Sequence, residues 1–345
     1  MPPIDMGKVI GFFGNGRLGS LTMKEFLSRG YDVSLVVRDP SKPRTRELEK
    51  LGASIVHMPE LDFEELKSVL TEPSLIYVGG PFGAFQELIH FLKENESLVI
   101  RSVFVSSANA KAGDYCSYRK FEEYEDLILA KLENALIIRP TLIFGLKDDG
   151  NFGYIAEWTR KYPFFPIIGS GRTPYQPVHY EDLKDAIVGA FLASDPKSRV
   201  FFIGGKDEIL YLEIVQYIKK RIHSHCLLLR LPKWLLLLIA TTVGRIVKLP
   251  LTKEQISRVD VDRRSSSGYP TCSGRIGLFP RTFFRSDVAG HPGISGKVKS
   301  LPKMARATAR RLSPSHDSPD TIRPTFSVPL RMKPEAPSSG STSPW

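Results

Sequence analysis

Six residues near the start of the chain, Gly14-Asn15-Gly16-Arg17-Leu18-Gly19, fit G-x-G-x-x-G, and their flanks constrain the fold more than any other feature. KVIGFF before them reads as a short buried strand. SLTMKEFLSRG after them reads as a helix closed by Gly30, and DVSLVV follows as a second strand. Strand, glycine turn, helix and strand in that order predict a βαβ unit. Each glycine then has a physical task. Gly14 permits the tight turn, Gly16 lets the backbone approach a pyrophosphate, and Gly19 lets the helix pack closely on the strand. Backbone N–H groups around Asn15, Arg17 and Leu18, aided by the helix dipole, would hold the anion.

The same alternation continues. ASIVHM precedes a helix over 62–70, SLIYVGG precedes AFQELIHFLKE, SVFVSS precedes a helix around FEEYEDLILAKL, and ALIIRPTLIFG follows. Strands alternating with helices of this length predict an α/β fold, a Rossmann-type doubly wound parallel sheet with helices on both faces. Ligands of such sheets lie beyond the carboxyl ends of strands, which directs attention to Gly79-Gly80-Pro81, Ser106-Ser107 and Arg139-Pro140-Thr141. Gly79 and Pro140 therefore join the glycine turn as cofactor-binding candidates.

At the end of the second strand an NAD site would carry an acidic residue for the ribose 2′-hydroxyl, whereas this chain has Arg38 followed by Asp39. An arginine favours a 2′-phosphate, and Arg17 could add a second positive charge. NADP(H) is thereby favoured over NAD(H), the alternative being a surface Arg38 with Asp39 turned in towards NAD.

A net charge of +11 would point to a polyanionic partner if it were spread over the fold. It is concentrated at one end. Residues 263–345 hold 14 Lys and Arg against 4 Asp and Glu, while residues 1–262 hold 34 against 33. That C-terminal stretch also contains 11 of the 26 prolines and 15 serines without sustained periodicity, so it is expected to be disordered. It reads as a solvated appendage or a basic arm, and the abrupt change near Asp262 also fits a shifted reading frame. A nucleic-acid function has only charge behind it, with no stacking or groove-reading motif. Three scattered cysteines offer neither a disulfide framework nor zinc-ligand spacing, so no metal site is expected and a reducing compartment fits.

MPPIDMGKVIGFFGNG lacks the basic start and apolar run of a secretory signal, which makes a cytoplasmic location the expectation. In LLLRLPKWLLLLIATTVGRIVKLP the uncharged run from Trp234 to Gly244 is 11 residues, well short of the roughly 20 that span a bilayer. A leucine-rich helix with one tryptophan and basic flanks suits peripheral association, so residues 230–249 are the candidate contact with a protein complex or membrane surface.

Beyond these features RSVFVSSANA, IIRPTLIFG, GSGRTPYQPVHYEDLKDAI and FFIGGKDEILYLEIVQYI occur in order, and together with the glycine turn they resemble the short-chain dehydrogenase/reductase superfamily. The resemblance is to its atypical branch, which includes an NAD(P)H-binding accessory subunit of respiratory complex I, and it covers most of residues 8–260. It implies a nucleotide-binding domain over 1–145 with 178–195 returning to it, a smaller substrate or cap region over 146–262, and the tail over 263–345. It also implies hydride chemistry by a serine after the fifth strand and a Tyr-x-x-x-Lys helix, in which the tyrosine passes a proton and the lysine lowers its pKa and holds the nicotinamide ribose.

The carried-over catalytic residues are Ser107, Tyr115 and Lys120, with Lys120 also a cofactor ligand. The motif departs from the family's pattern. Cys116 lies four before Lys120, and the tyrosines lie five before (Tyr115) and two before (Tyr118), so on an ideal helix neither shares the lysine's face. A helix starting after Tyr115 would let that tyrosine approach from the loop. Relatives commonly carry an Asp beside the adenine after the third strand; here Pro59 takes that place if Asp62 matches their second acidic position. His179 and the pair Glu181 and Asp182 read as structural, the histidine through a hydrogen bond and the acids as charge favouring a helix start.

Two functions follow. One is an NADP(H)-dependent reductase or epimerase-like oxidoreductase acting on an unknown small molecule with a degenerate Tyr-Lys motif. The other is a non-catalytic accessory or redox-sensing protein that holds NADP(H) and docks on a partner.

Overall fold

In the computed structural model the residues described are 7–80, 85–110, 116–146, 152–193 and 199–242. Tyr115, the carboxyl end of the 230–249 segment and the whole of 263–345, for which disorder is expected, lie outside them.

The run of β-branched and aliphatic residues from the first strand onward builds seven strands: β1 (Lys8–Phe12), β2 (Asp32–Val37), β3 (Ser54–His57), β4 (Ser74–Gly79), β5 (Val99–Val105), β6 (Ala135–Pro140) and β11 (Val200–Ile203). They form one parallel sheet in the order β11-β6-β5-β4-β1-β2-β3. The chain runs outward from β1 through β2 to β3, then crosses back to place β4 on the other flank of β1. That reversal opens a crevice at the carboxyl ends of β1 and β4, where open α/β sheets take ligands.

Alternation along each strand explains why both faces are apolar. Val9, Leu35, Tyr77 and Leu136 point to one face, and Ile10, Val36, Ile76 and Ile137 to the other. The first face is covered by α1 (Arg17–Ser28), α2 (Pro43–Lys50) and α7 (Tyr180–Leu192), through Phe26, Leu48, Ala186, Ile187 and Phe191. The second is covered by α3 (Phe63–Val69), α4 (Phe85–Glu94) and α5 (Cys116–Lys131), through Leu66, Leu88, Ile89 and Ile128.

A third cluster gathers Phe144, Phe152, Ile155, Phe165, Ile167, Ile214 and Ile218. It is built from β7 (Ile143–Phe144), α6 (Phe152–Lys161), β8 (Phe164–Ile168) and α8 (Tyr211–Arg221), together with the short β9 (Pro174–Tyr175) and β12 (Ile209–Leu210). β10 (Val178–His179) pairs with β7 and leads into α7. The last described elements are β13 (Leu227–Leu231), parallel to β8, and α9 (Lys233–Thr242). Among the described residues no helix is long and apolar enough to cross a membrane.

Candidate functional site

The glycine turn does its work with a different division of labour from the one expected. The residue in the left-handed region is Phe13, at φ 57°, and Gly14 is not. Gly14 is required for space: a Cβ there would lie 2.9 Å from Leu35 Cδ2 and 3.3 Å from Met23 Cγ, inside the α1/β2 packing. A Cβ on Gly19 would come within 2.7 Å of the Gly14 carbonyl oxygen, so Gly19 sets how closely α1 approaches the turn. At Gly16 the nearest atom to a Cβ is the Phe13 carbonyl oxygen at 3.8 Å, leaving space beside the start of the helix. Gly16 is the N-cap of α1, and among the described residues no side chain caps that end and no acidic residue occupies its first turn. A helix start with a positive dipole and no protein carboxylate at it suits a phosphate.

Beside this turn lies a cleft of about 380 Å³. Its wall is formed by Phe13, Asn15, Gly16, Arg17, Leu18 and Gly19 from the turn, Gly79 at the end of β4 with Gly80 after it, Ser106 after β5, and Pro140 at the end of β6. Of the expected cofactor ligands, Asn15, Gly16, Arg17, Leu18, Gly19, Arg38, Gly79 and Pro140 line it. Gly14 does not, for the packing reason just given. The Asn15 side chain is committed elsewhere, donating through Nδ2 to Thr45 Oγ1 at 3.0 Å, so it ties the turn to α2.

Three cations border the cleft: Arg17, Arg38 and Lys42. The Arg38 guanidinium stands over the Phe13 ring, 5.5 Å from its centroid. Lys42, which sequence reasoning missed, is the N-cap of α2; its only sequence signal is its position four residues after Arg38. Asp39, the residue that would have favoured NAD, is not part of the lining. Its carboxylate accepts from Ser41 Oγ at 2.6 Å and Ser41 N at 2.9 Å, closing a local turn. Those two hydrogen bonds, the side-chain one foremost, hold its carboxyl below the usual range.

At the other end Ser106 donates its hydroxyl proton to Glu125 Oε1. Glu125, on α5, is paired in turn with Arg139 on β6, whose Nε lies 3.0 Å from both carboxylate oxygens. Glu125 and Arg139 are each only 2% exposed. Ser107 Oγ accepts from Asn109 N at 3.2 Å and from Asn109 Nδ2 at 3.3 Å, and Ser107 is not among the lining residues. Lys120 is exposed near the start of α5 and is not among them either. Tyr77 does line the cleft, and burial pushes its phenol well above the ordinary tyrosine range. The structural hydrogen bond expected of His179 is visible, and a second helix start is capped as well. His179 caps α7 by accepting from Glu181 N at 3.3 Å, and Asp62 caps α3 by accepting from Glu64 N and Glu65 N.

No protein-family model matches the chain. A curated relative, the mitochondrial NADH dehydrogenase (ubiquinone) 1 alpha subcomplex subunit 9 of Arabidopsis thaliana, is 26% identical over 244 residues, which is 64% of this chain and 59% of the relative. The chain thus spans less than two thirds of that protein's length. Among solved structures, MoeE5 in complex with UDP-glucose and NAD superposes with a TM-score of 0.60 at 16% identity, covering 89% of this chain and all of that one. The UDP-glucuronic acid 4-epimerase of Bacillus cereus, a point mutant in complex with UDP-4-deoxy-4-fluoro-glucuronic acid and NAD, superposes at 0.54 and 16% identity, over 65% of this chain and 86% of the epimerase.

The chain shares the Rossmann-type fold of these solved structures.

Within that fold the sheet, the glycine turn and the strand-end positions at 79, 106 and 140 meet at one cleft, and the resemblance to the atypical branch is supported by the curated relative. The carried-over catalytic set is not brought together to the same degree. Ser107 and Lys120 stand outside the lining, Tyr115 lies outside the described residues, and the serine that does line the cleft is Ser106. Among the described residues no group of three or more His, Cys, Asp or Glu is placed to hold a metal.

Proposed function

We propose that this chain holds NADP(H) in the cleft beside the glycine turn and acts as an accessory or redox-sensing protein docked on a partner. In this reading residues 1–145 with 178–195 are the nucleotide-binding part and 146–262 the cap. The observation that carries the cofactor preference is the set Arg17, Arg38 and Lys42 around one cleft, with the Asp39 carboxylate engaged by Ser41. A 2′-phosphate brings charge that such cations can neutralise, whereas a ribose hydroxyl would find no carboxylate among the described lining residues. The open space at Gly16 and the uncapped start of α1 would take the diphosphate. Bound there, the cofactor would supply hydride chemistry or a redox-sensitive ligand state.

The second reading is an NADP(H)-dependent reductase or epimerase. Solved neighbours holding NAD with sugar nucleotides support that reaction class. It requires a proton-transfer pair from Tyr115 and Lys120, and the exposure of Lys120 favours the holding role.

Docking is supported by exposed apolar side chains that belong to neighbouring elements: Phe164 on β8, Leu227 and Leu229 on β13, and Trp234 and Leu238 on α9. Arg230 and Lys233 lie in the same stretch, so the surface suits a partner complex or an anionic membrane through 230–249.

Calorimetry of the full chain with NADPH and NADH tests the reading. Binding of NADPH at least about tenfold tighter than NADH, with the ratio collapsing in Arg38→Ala and Lys42→Ala, is expected. Equal affinity would overturn the NADP(H) preference, and turnover of a carbonyl panel that is lost in Lys120→Ala would overturn the holding role.

A further inference from the structure

A serine hydroxyl has one proton to give and two lone pairs to receive with. At Ser106 the proton is spent. It goes to Glu125, whose carboxylate faces the buried guanidinium of Arg139 and offers acceptor oxygens alone. The Ser106 backbone N–H is spent as well, donating to the Ile138 carbonyl at 2.8 Å. What Ser106 Oγ has left for the cleft it lines is acceptor capacity. The neighbouring Ser107 is arranged the opposite way, its oxygen accepting from Asn109, and it stands outside the lining.

A serine that activates a substrate carbonyl must donate to it. Ser106 would meet a carbonyl oxygen lone pair against lone pair, a contact that gives neither a donor and forgoes the hydrogen bond a donating serine would make. A group that carries its own N–H fits instead.

We propose that Ser106 is a positioning and specificity-determining residue that accepts from a primary carboxamide, that of the nicotinamide ring, and so anchors the cofactor rather than polarising a substrate. The proposal rests on the NADP(H) reading above. Placement along the sheet supports it. Arg38 follows β2 and Ser106 follows β5, with β1 and β4 between them, so the two ends of the cleft lie three strand spacings apart, about 14 Å. That distance is on the scale separating the two halves of an extended dinucleotide. With the cations at the adenosine end, the carboxamide belongs at the Ser106 end.

The test is calorimetric titration of the full chain with NADP⁺ and with its 3-acetylpyridine analogue, which keeps the carbonyl and the net charge but replaces the amide nitrogen by a methyl group. Wild type is expected to prefer NADP⁺ by about five- to tenfold, the worth of one neutral hydrogen bond. Ser106→Ala should bring the two ligands within about twofold while keeping the preference for NADPH over NADH, and Ser107→Ala should leave the ratio as in wild type. Equal binding of the two ligands by the wild type overturns the proposal without need of any variant, as does a preference that survives Ser106→Ala. In either case NADPH binding itself would leave the NADP(H) reading standing, whereas failure of every dinucleotide to bind would sink both.

Discussion

The guanidinium of Arg38 lies 5.5 Å from the centre of the Phe13 ring, and Phe13 itself holds a left-handed backbone conformation at φ 57°. The strained residue at the end of β1 is thus the platform on which the cation from the end of β2 rests. Left-handed geometry costs a non-glycine residue roughly 1–2 kcal/mol, and such outliers gather where a ligand is gripped. Phe13→Leu keeps the backbone and an apolar side chain but removes the ring face. It is expected to weaken NADPH binding about two- to fivefold, the equivalent of one exposed cation–π contact, with NADH affinity little changed. Titration by quenching or enhancement of NADPH fluorescence would measure it.

Gly16 and Gly19 separate binding from folding. A methyl group on Gly16 meets nothing closer than 3.8 Å and its backbone is extended, so Gly16→Ala should melt like the parent while losing at least about tenfold in dinucleotide affinity. A methyl group on Gly19 would press on the Gly14 backbone at 2.7–2.9 Å, so Gly19→Ala should lower stability by about 1–3 kcal/mol. Thermal melting and calorimetry on the two variants would check the contrast.

Glu25 on α1 accepts from Lys184 on α7 at 3.0 Å and from Arg29 at 2.9 Å, and these hydrogen bonds, Lys184 first, hold its carboxyl below the ordinary range against a smaller opposing effect of burial. A depressed carboxylate pKa contributes stability that is present above the unfolded value and is lost as pH falls through the folded one. Because the pair borders solvent, its worth is that of a surface bridge, about 0.5–1 kcal/mol. Glu25→Gln should therefore be less stable than the parent at about pH 7, and denaturant unfolding curves of the two should converge below about pH 3.

Trp234, 65% exposed, reports on the docking surface. The full chain is expected to sediment with vesicles rich in anionic phospholipid, with a blue shift of tryptophan emission. Trp234→Glu combined with Leu227→Glu should abolish sedimentation without changing NADPH affinity. A parent protein that stays in the supernatant removes the membrane as the docked surface.

Much of this molecule was readable along the chain because its signals are local. The glycine turn, the apolar runs of β1, β2, β4 and β6, and the acidic helix start at Glu181 and Asp182 each depend on residues within a few positions of one another, where strand alternation and helix-end chemistry act. The amino-acid order alone therefore determined a doubly wound parallel sheet and the crevice at its reversal. Only the tertiary structure decided which groups face that crevice. Ser106, Glu125 and Arg139 come from three different elements, and their proton arrangement exists because β5, β6 and α5 pack together. Lys42 joins Arg38 because a turn closed by Asp39 and Ser41 folds it back, and Gly14 is held to glycine by the crowding of Leu35 and Met23 while the left-handed conformation falls on Phe13. Side-chain direction and proton ownership are set by neighbours distant in sequence, and no local pattern encodes them.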